Sequence, residues 1–218
     1  MTLETVSIEW TEGQFVTGHL MRGSSQGVLL AHGAGTNQDH ASIEALRDGL
    51  ANAGISVMTF NYAYTEVGKK RPDQQAKLLT CHRAALQWFR ENVTERVILA
   101  GRSMGGRMGT YLAAGGDPCV GLILYAYPLH PTGRPEKLRT DHLSAITQPM
   151  AFFVGTRDPL STMDPYNEWV RPLPTATTFE VEDGDHSFRV RKMSGRTNEE
   201  AMEQIIRQSV EWLNQLDA

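Results

Sequence analysis

Five short apolar runs punctuate the chain: Val28–Ala31, Ile55–Phe60, Val97–Ala100, Gly121–Tyr125 and Met150–Val154. None of them alternates polar with apolar residues. Strands of this length that are apolar on both faces belong to parallel sheets sheltered by helices. Between the runs the spacing turns helical. Ile43, Leu46 and Leu50 recur at intervals of three and four within 41–53, and Ala76, Leu79, Ala84, Leu86 and Phe89 give one apolar face across 73–92. A last helix is predicted over 198–216, carrying Ile205, Ile206, Val210 and Leu213.

This alternation, from residue 27 to 216, predicts an α/β fold: a doubly wound, mostly parallel sheet of about seven or eight strands with helices on both faces. Thr177–Val181 supplies a further strand before the closing helix. Upstream, Thr5–Glu9 and Gln14–Met21 flank Glu12-Gly13 and predict an antiparallel hairpin on one edge. Asp164–Val170 is expected to form a short helix in which Trp169 packs, and Pro135–Leu143 another within the long connection 127–148. That connection is too short for a lid domain of about 50 residues or more. With no repeat, linker or compositional break, residues 1–218 read as one domain.

Composition and charge mainly exclude. The 21 basic and 25 acidic residues give a net charge of −4 without a clustered positive field, so nucleic acid is not an expected partner. Lys69-Lys70-Arg71 reads as a solvated loop. No apolar run reaches the roughly 20 residues of a membrane span, and the N-terminus lacks the features of a signal peptide. Cys81 and Cys119 make no disulfide framework and read as small buried hydrophobes. The expected location is the cytoplasm, without membrane insertion; oligomeric state is left open.

The chemistry concentrates where strands end. Gly101-Arg102-Ser103-Met104-Gly105 follows the run 97–100 and fits G-x-S-x-G, the pattern of a nucleophile on a sharp strand-to-helix turn. Such a turn strains the serine backbone and leaves no room for side chains two residues before and after it. A helix is predicted over Met104–Ala114, with Met104 and Met108 packing in the core. Arg102 either anchors a neighbouring loop or meets an anionic substrate.

After the first buried run comes His32-Gly33-Ala34-Gly35. Acyl transfer needs two backbone N–H groups aimed at the developing oxyanion. Met104 and Ala34 are the candidates, with Gly35 as the neighbour able to substitute; His32 reads as a brace for the loop. The base must come late in the chain, and His186 follows the strand 177–181. Asp158, just past 152–154, is the favoured acid, with Asp183 and Asp185 as rivals. Nucleophile, acid and base thus fall in the chain order Ser, Asp, His. Neither a metal nor an organic cofactor is expected.

With these residues in view, the chain resembles the α/β-hydrolase superfamily from about residue 15 onward, within the small lid-less branch near dienelactone hydrolase. It is more similar still to a hydrolase-like domain shared by small bacterial proteins and animal testis-expressed and NSL-complex subunits. The segments that narrow the resemblance are His32–Gly35, Phe60–Tyr64, Lys70–Asp73, Gly101–Gly106, Tyr127–Pro131, Pro135–Arg139 with Asp141–Leu143, and Gly155–Pro159. Dienelactone hydrolase uses a cysteine nucleophile where this chain carries Ser103, so lactone chemistry does not transfer.

The resemblance and the triad order together imply a serine hydrolase acting on a small acyl ester, thioester or lactone. Two alternatives stay open: a non-catalytic binding module, as some animal relatives suggest, and an acyltransferase or perhydrolase using the same residues. Tyr62, Tyr64, Tyr127 and His130, in loops at the carboxyl ends of strands, are expected to line the substrate pocket together with Gly35.

Overall fold

The computed structural model describes residues 1–23 and 26–216. Eight strands form one sheet: β1 (Leu3–Thr11), β2 (Gln14–Met21), β3 (Gly27–Ala31), β4 (Ser56–Phe60), β5 (Val97–Arg102), β6 (Gly121–Tyr125), β7 (Met150–Gly155) and β8 (Ala176–Val181). Their spatial order is β1-β2-β4-β3-β5-β6-β7-β8. β1 and β2 form the expected edge hairpin, turning at Gly13 with φ 66°, and β2 joins β4 antiparallel. Every other pairing is parallel. The helices are α1 (Ala41–Asn52), the single turn α2 (Ala63–Glu66), α3 (Gln75–Asn92), α4 (Met104–Ala114), α5 (Met163–Trp169) and α6 (Asn198–Leu216). No helix among the described residues is long and apolar enough to cross a membrane.

The pleat sorts the buried residues into two layers. Leu29, Ala31 and Leu99 face α3 and α4, packing with Phe89, Met108 and Leu112. Val28, Leu30, Ile98 and Ala100 face α1 and α6, packing with Leu46, Leu50, Ile205 and Trp212. Because both faces are covered, the central strands are apolar throughout, which is why their sequences carry no alternation.

Three expectations need correction. The inward face of α3 is Leu78, Cys81, His82, Ala85, Leu86 and Phe89, while Ala76 is exposed. Periodicity misplaced the stripe because it scores a buried histidine as polar; His82 is fully buried and hydrogen-bonded to Tyr62. Residues 135–143 form turns rather than a helix, and only a 3₁₀ turn follows at Leu143–Ala145. There the Arg139 N–H crosses to Leu129 O at 2.8 Å instead of bonding along its own segment. In α5, Tyr166 and not Trp169 packs inward; Trp169 is 47% exposed. Both cysteines are free thiols, Cys81 buried with its thiol pushed up to about 12 by desolvation, Cys119 half-buried.

The tightest packing lies where β5 turns into α4. A Cβ added to Gly105 would stand 2.5 Å from Ala31 O and 2.7 Å from His32 O, backbone atoms that cannot swing aside. Gly109, one helical turn on, would meet only ordinary contacts at 3.6 Å and 3.9 Å. Gly105→Ala should therefore destabilise by about 1–3 kcal/mol. Gly109→Ala should be neutral or stabilising by up to about 1 kcal/mol through helix propensity. Equal effects of the two substitutions in urea titrations would contradict this account of the elbow.

Candidate active site

The tight packing has a local consequence at Ser103. Its backbone sits at φ 51°, ψ −111°, a conformation that costs an L-residue roughly 1–3 kcal/mol and persists only when the surroundings enforce it. They do so from both sides. The Ser103 N–H donates to Tyr125 O on β6 at 2.8 Å, and Arg107 N–H reaches back to Ser103 O at 3.0 Å to start α4. Behind the serine, a Cβ on Gly101 would fall 2.3 Å from Gly106 N. Strand and helix can meet at this angle only without those side chains, and the serine hydroxyl is left at the carboxyl edge of the sheet.

Two other strand ends converge on that hydroxyl. His186 Nε2 lies 2.9 Å from Ser103 Oγ, and His186 Nδ1 lies 2.7 Å from Asp158 Oδ2. The Asp158 side chain is fully buried, and its other oxygen accepts the Leu160 N–H at 2.8 Å. The rivals are engaged elsewhere. Asp183 binds the Arg191 backbone and guanidinium and the Arg157 side chain, which holds its carboxyl down at about 2. Asp185 accepts the N–H groups of Ser187 and Arg189.

The meeting of acid and base depends on glycine again, because a Cβ on Gly155 would come within 2.3 Å of Gly184 O. The loops after β7 and β8 therefore touch backbone to backbone. Arg102 completes the arrangement. Its guanidinium donates to His186 O at 3.2 Å and to Ser187 Oγ at 2.9 Å, and it packs on Gly33. It thus anchors the histidine loop, as one of its two expected readings held.

The remaining candidates divide. Ala34, Met104 and His130 join Ser103 in lining a cavity of about 420 Å³. Gly35, at φ 72°, lies instead in an adjacent cleft with His40, Lys69 and Lys70. Tyr62, Tyr64 and Tyr127 do not line the cavity; all three are buried beneath it. Tyr62 shares a 3.1 Å hydrogen bond with His82 Nδ1, and Tyr127 donates to Arg139 O at 2.8 Å. The Tyr64 hydroxyl faces the Gly35 backbone, and burial pushes it up to about 12.

These tyrosines face inward because the loops after β4 and β6 fold back over the sheet, which period and composition do not reveal. His32 is a brace. Its Nε2 accepts the Tyr62 N–H at 3.3 Å, so Nδ1 carries the proton and donates to Gly33 O at 2.8 Å.

Among the cavity residues that were not candidates are two cations, Arg107 and Arg139. Arg107 stands four residues after the serine on α4, hence on the same helix face, a spacing that was available as a signal. Arg139 reaches the site only through the fold of the 126–149 connection. Among the described residues, no group of three or more His, Cys, Asp or Glu side chains is placed to hold a metal ion.

A family model described as an alpha/beta hydrolase domain matches residues 24–214. The chain belongs to this family. Solved structures with the same fold include dienelactone hydrolase from Anabaena variabilis, with a TM-score of 0.77 and 17% identity over 98% of this chain and 97% of that one. An esterase from Pyrococcus furiosus matches with a TM-score of 0.77 and 15% identity, over 98% and 91% of the two chains. An α/β serine hydrolase without a lid, from Xanthomonas campestris, matches at 0.69 and 18% over 95% of each. In this lid-less α/β-hydrolase domain, residues 126–149 cross directly from β6 to β7 without an inserted helical domain.

Burial keeps three imidazoles neutral in the hydrolase fold: His32 is pushed down to about 4, His82 to about 3 and His142 to about 4. Histidine in the unfolded chain protonates near its ordinary value of about 6.5. Between those values the unfolded chain takes up protons that the native protein refuses. Stability from these groups is therefore complete above about pH 6.5 and drains as pH falls toward the folded values. The melting temperature should decline steadily from about pH 7 to about pH 4.5, and His142→Asn should flatten the decline. A melting temperature constant through that window would contradict the assignment.

Proposed function

We propose that this α/β-hydrolase domain is a serine hydrolase that cleaves a small carboxylic ester, thioester or lactone through an acyl-enzyme on Ser103. The observation that carries the reading is the continuous hydrogen-bonded chain from Asp158 through His186 to the Ser103 hydroxyl. His186 accepts the Ser103 proton as Oγ bonds to the acyl carbon, and Asp158 holds the imidazole with Nδ1–H toward itself. The tetrahedral oxyanion is stabilised by the N–H groups of Met104 and Ala34. Its collapse breaks the bond to the leaving group, which takes the proton from His186. A water that gives its proton to His186 then attacks the same carbon, the Oγ bond breaks as His186 returns that proton to Oγ, and the free acid departs. The chemistry uses side chains and backbone only.

Arg102 acts in this scheme as a positioning residue, because it grips the backbone of the general base and not the substrate. The esterase named among the structural neighbours and the lid-less architecture support an accessible cleft and a soluble small-molecule substrate.

A fluorophosphonate probe should label the purified protein at Ser103, located by mass spectrometry, and should fail on Ser103→Ala and His186→Ala. Asp158→Asn should lower kcat toward short p-nitrophenyl esters by roughly 10³–10⁴-fold. Arg102→Met should lower kcat by roughly tenfold to a hundredfold through a displaced His186, with KM nearly unchanged. A folded parent protein that ignores the probe would overturn the hydrolase reading in favour of a binding module. Product analysis with added alcohols separates hydrolysis from acyl transfer.

A further inference from the structure

The cavity beside Ser103 carries a charge pattern that ester hydrolysis alone does not require. Arg107 and Arg139 both line it, and neither guanidinium has a hydrogen bond or ion pair among the described residues. Arg107 Nε is buried with no acceptor, and the guanidinium lies 5.9 Å from the Tyr111 ring centroid. Partial burial weakens the hold of Arg139 on its proton, and the nearby Arg107 charge adds to that effect. The one carboxylate in the lining, Asp73, forms no hydrogen bond or ion pair to either arginine among the described residues, and its Oδ2 lies 3.1 Å from Lys77 Nζ. The Arg139 backbone is fixed at both ends, its N–H bonded to Leu129 O and its C=O receiving the Tyr127 hydroxyl, each at 2.8 Å. Two cations are thus held near one another, partly desolvated, with no carboxylate paired to either among the described residues.

The orientation of substrate follows from the walls. Ser103, Ala34 and Met104 line this cavity and His186 does not. A general acid must reach the leaving atom, so the leaving group lies on the His186 side and the acyl chain extends into the cavity. Leu78, Pro128 and Leu160 offer apolar contact to methylene groups on the way. A planar guanidinium matches a carboxylate through paired N–H donors, and desolvated charges strengthen that match.

We propose that this cavity takes the terminal carboxylate of the acyl group, so that the preferred substrate is a half-ester or half-thioester of a short dicarboxylic acid. The proposal rests on the hydrolase reading above for its chemistry, and on the cavity alone for its selectivity. Arg107 and Arg139 are its specificity-determining residues.

The test compares p-nitrophenyl half-esters of succinate, glutarate, adipate and suberate with neutral esters of matching length, each corrected for its enzyme-free rate. At one chain length or more the parent should favour the half-ester in kcat/KM by roughly tenfold to a hundredfold, the worth of a hydrogen bond between charged groups. The preference ratio should fall toward one in Arg107→Gln and Arg139→Gln, both checked for folding by thermal melting, and should shrink at high salt in the parent. Neutral esters hydrolysed as well as half-esters at every length would overturn the proposal while leaving the hydrolase reading intact.

Should no ester be cleaved and Ser103 stay unlabelled, the hydrolase reading fails and the cavity is read by binding. Saturable thermal stabilisation by monomethyl adipate, lost in Arg107→Gln, would then support the carboxylate site. Its absence would overturn the site as well.

Discussion

The contact between the β5–α4 turn and the end of β3 sets the geometry of the proposed catalytic site. Gly105 lies against the carbonyls of Ala31 and His32, and Gly101 lies against the first turn of α4, at separations that admit no Cβ. That packing forces Ser103 into positive φ and fixes where its hydroxyl stands. It also brings the His32–Gly35 loop beside the helix N-terminus, so nucleophile and both oxyanion candidates derive from one packing event. The strain at Ser103 is compensated by two well-covered apolar layers, which hold the turn from either face of the sheet.

The proposed base, His186, is held by a different device. His186 sits in a loop that no strand or helix stiffens, and three anchors restrain it: the Gly155–Gly184 backbone contact, the Asp158 carboxylate and the Arg102 guanidinium. Arg102 leaves the nucleophile's own segment and ends on the base's backbone, so a shift of the elbow carries the histidine with it. This coupling accounts for an arginine beside a nucleophile that turns away from the substrate. Burial depresses its proton affinity, and the nearby Asp158 and Asp185 oppose that depression, so the charge is retained by its surroundings.

What could be read in advance was whatever short-range chemistry dictates. The strands, the edge hairpin and the closing helix follow from runs and spacing of apolar residues, and the Ser103 turn follows from the steric need for glycine on both sides of it. The order of Ser103, Asp158 and His186 was legible because each follows its own strand. The side to which a loop residue turns was not legible. Tyr62, Tyr64 and Tyr127 sit in the expected loops yet are buried, Tyr62 against His82 on α3 and Tyr127 against the Arg139 carbonyl further along its own connection, pairings that no local pattern announces. The stripe on α3 was misplaced for a related reason, since a histidine that hydrogen-bonds a buried tyrosine behaves as core. Asp158 was separable from Asp183 only by weighing reach, and the arginines around Asp183 supply the physical reason.

The buried tyrosines also explain how one sheet can combine fixed chemistry with adjustable selectivity. Ser103 directly follows β5, while Asp158 and His186 lie in the loops after β7 and β8 that meet backbone to backbone at Gly155 and Gly184. Arg139 hangs from the 126–149 connection, where the Tyr127 hydroxyl and Leu129 O fix its backbone from within, while His142 Nε2 ties the connection to Thr110 Oγ1 on α4 at 2.8 Å. Changes in that connection can alter which cation faces the cavity without moving a strand. Arg107 lacks this freedom, because it occupies the first turns of the elbow helix and shares the serine's packing. Of the two arginines, one therefore belongs to the catalytic frame and the other to the loop that covers it. The proposed convergence on a single cavity needs that connection docked on α4, and the Tyr127 hydroxyl then holds the Arg139 backbone in place within it.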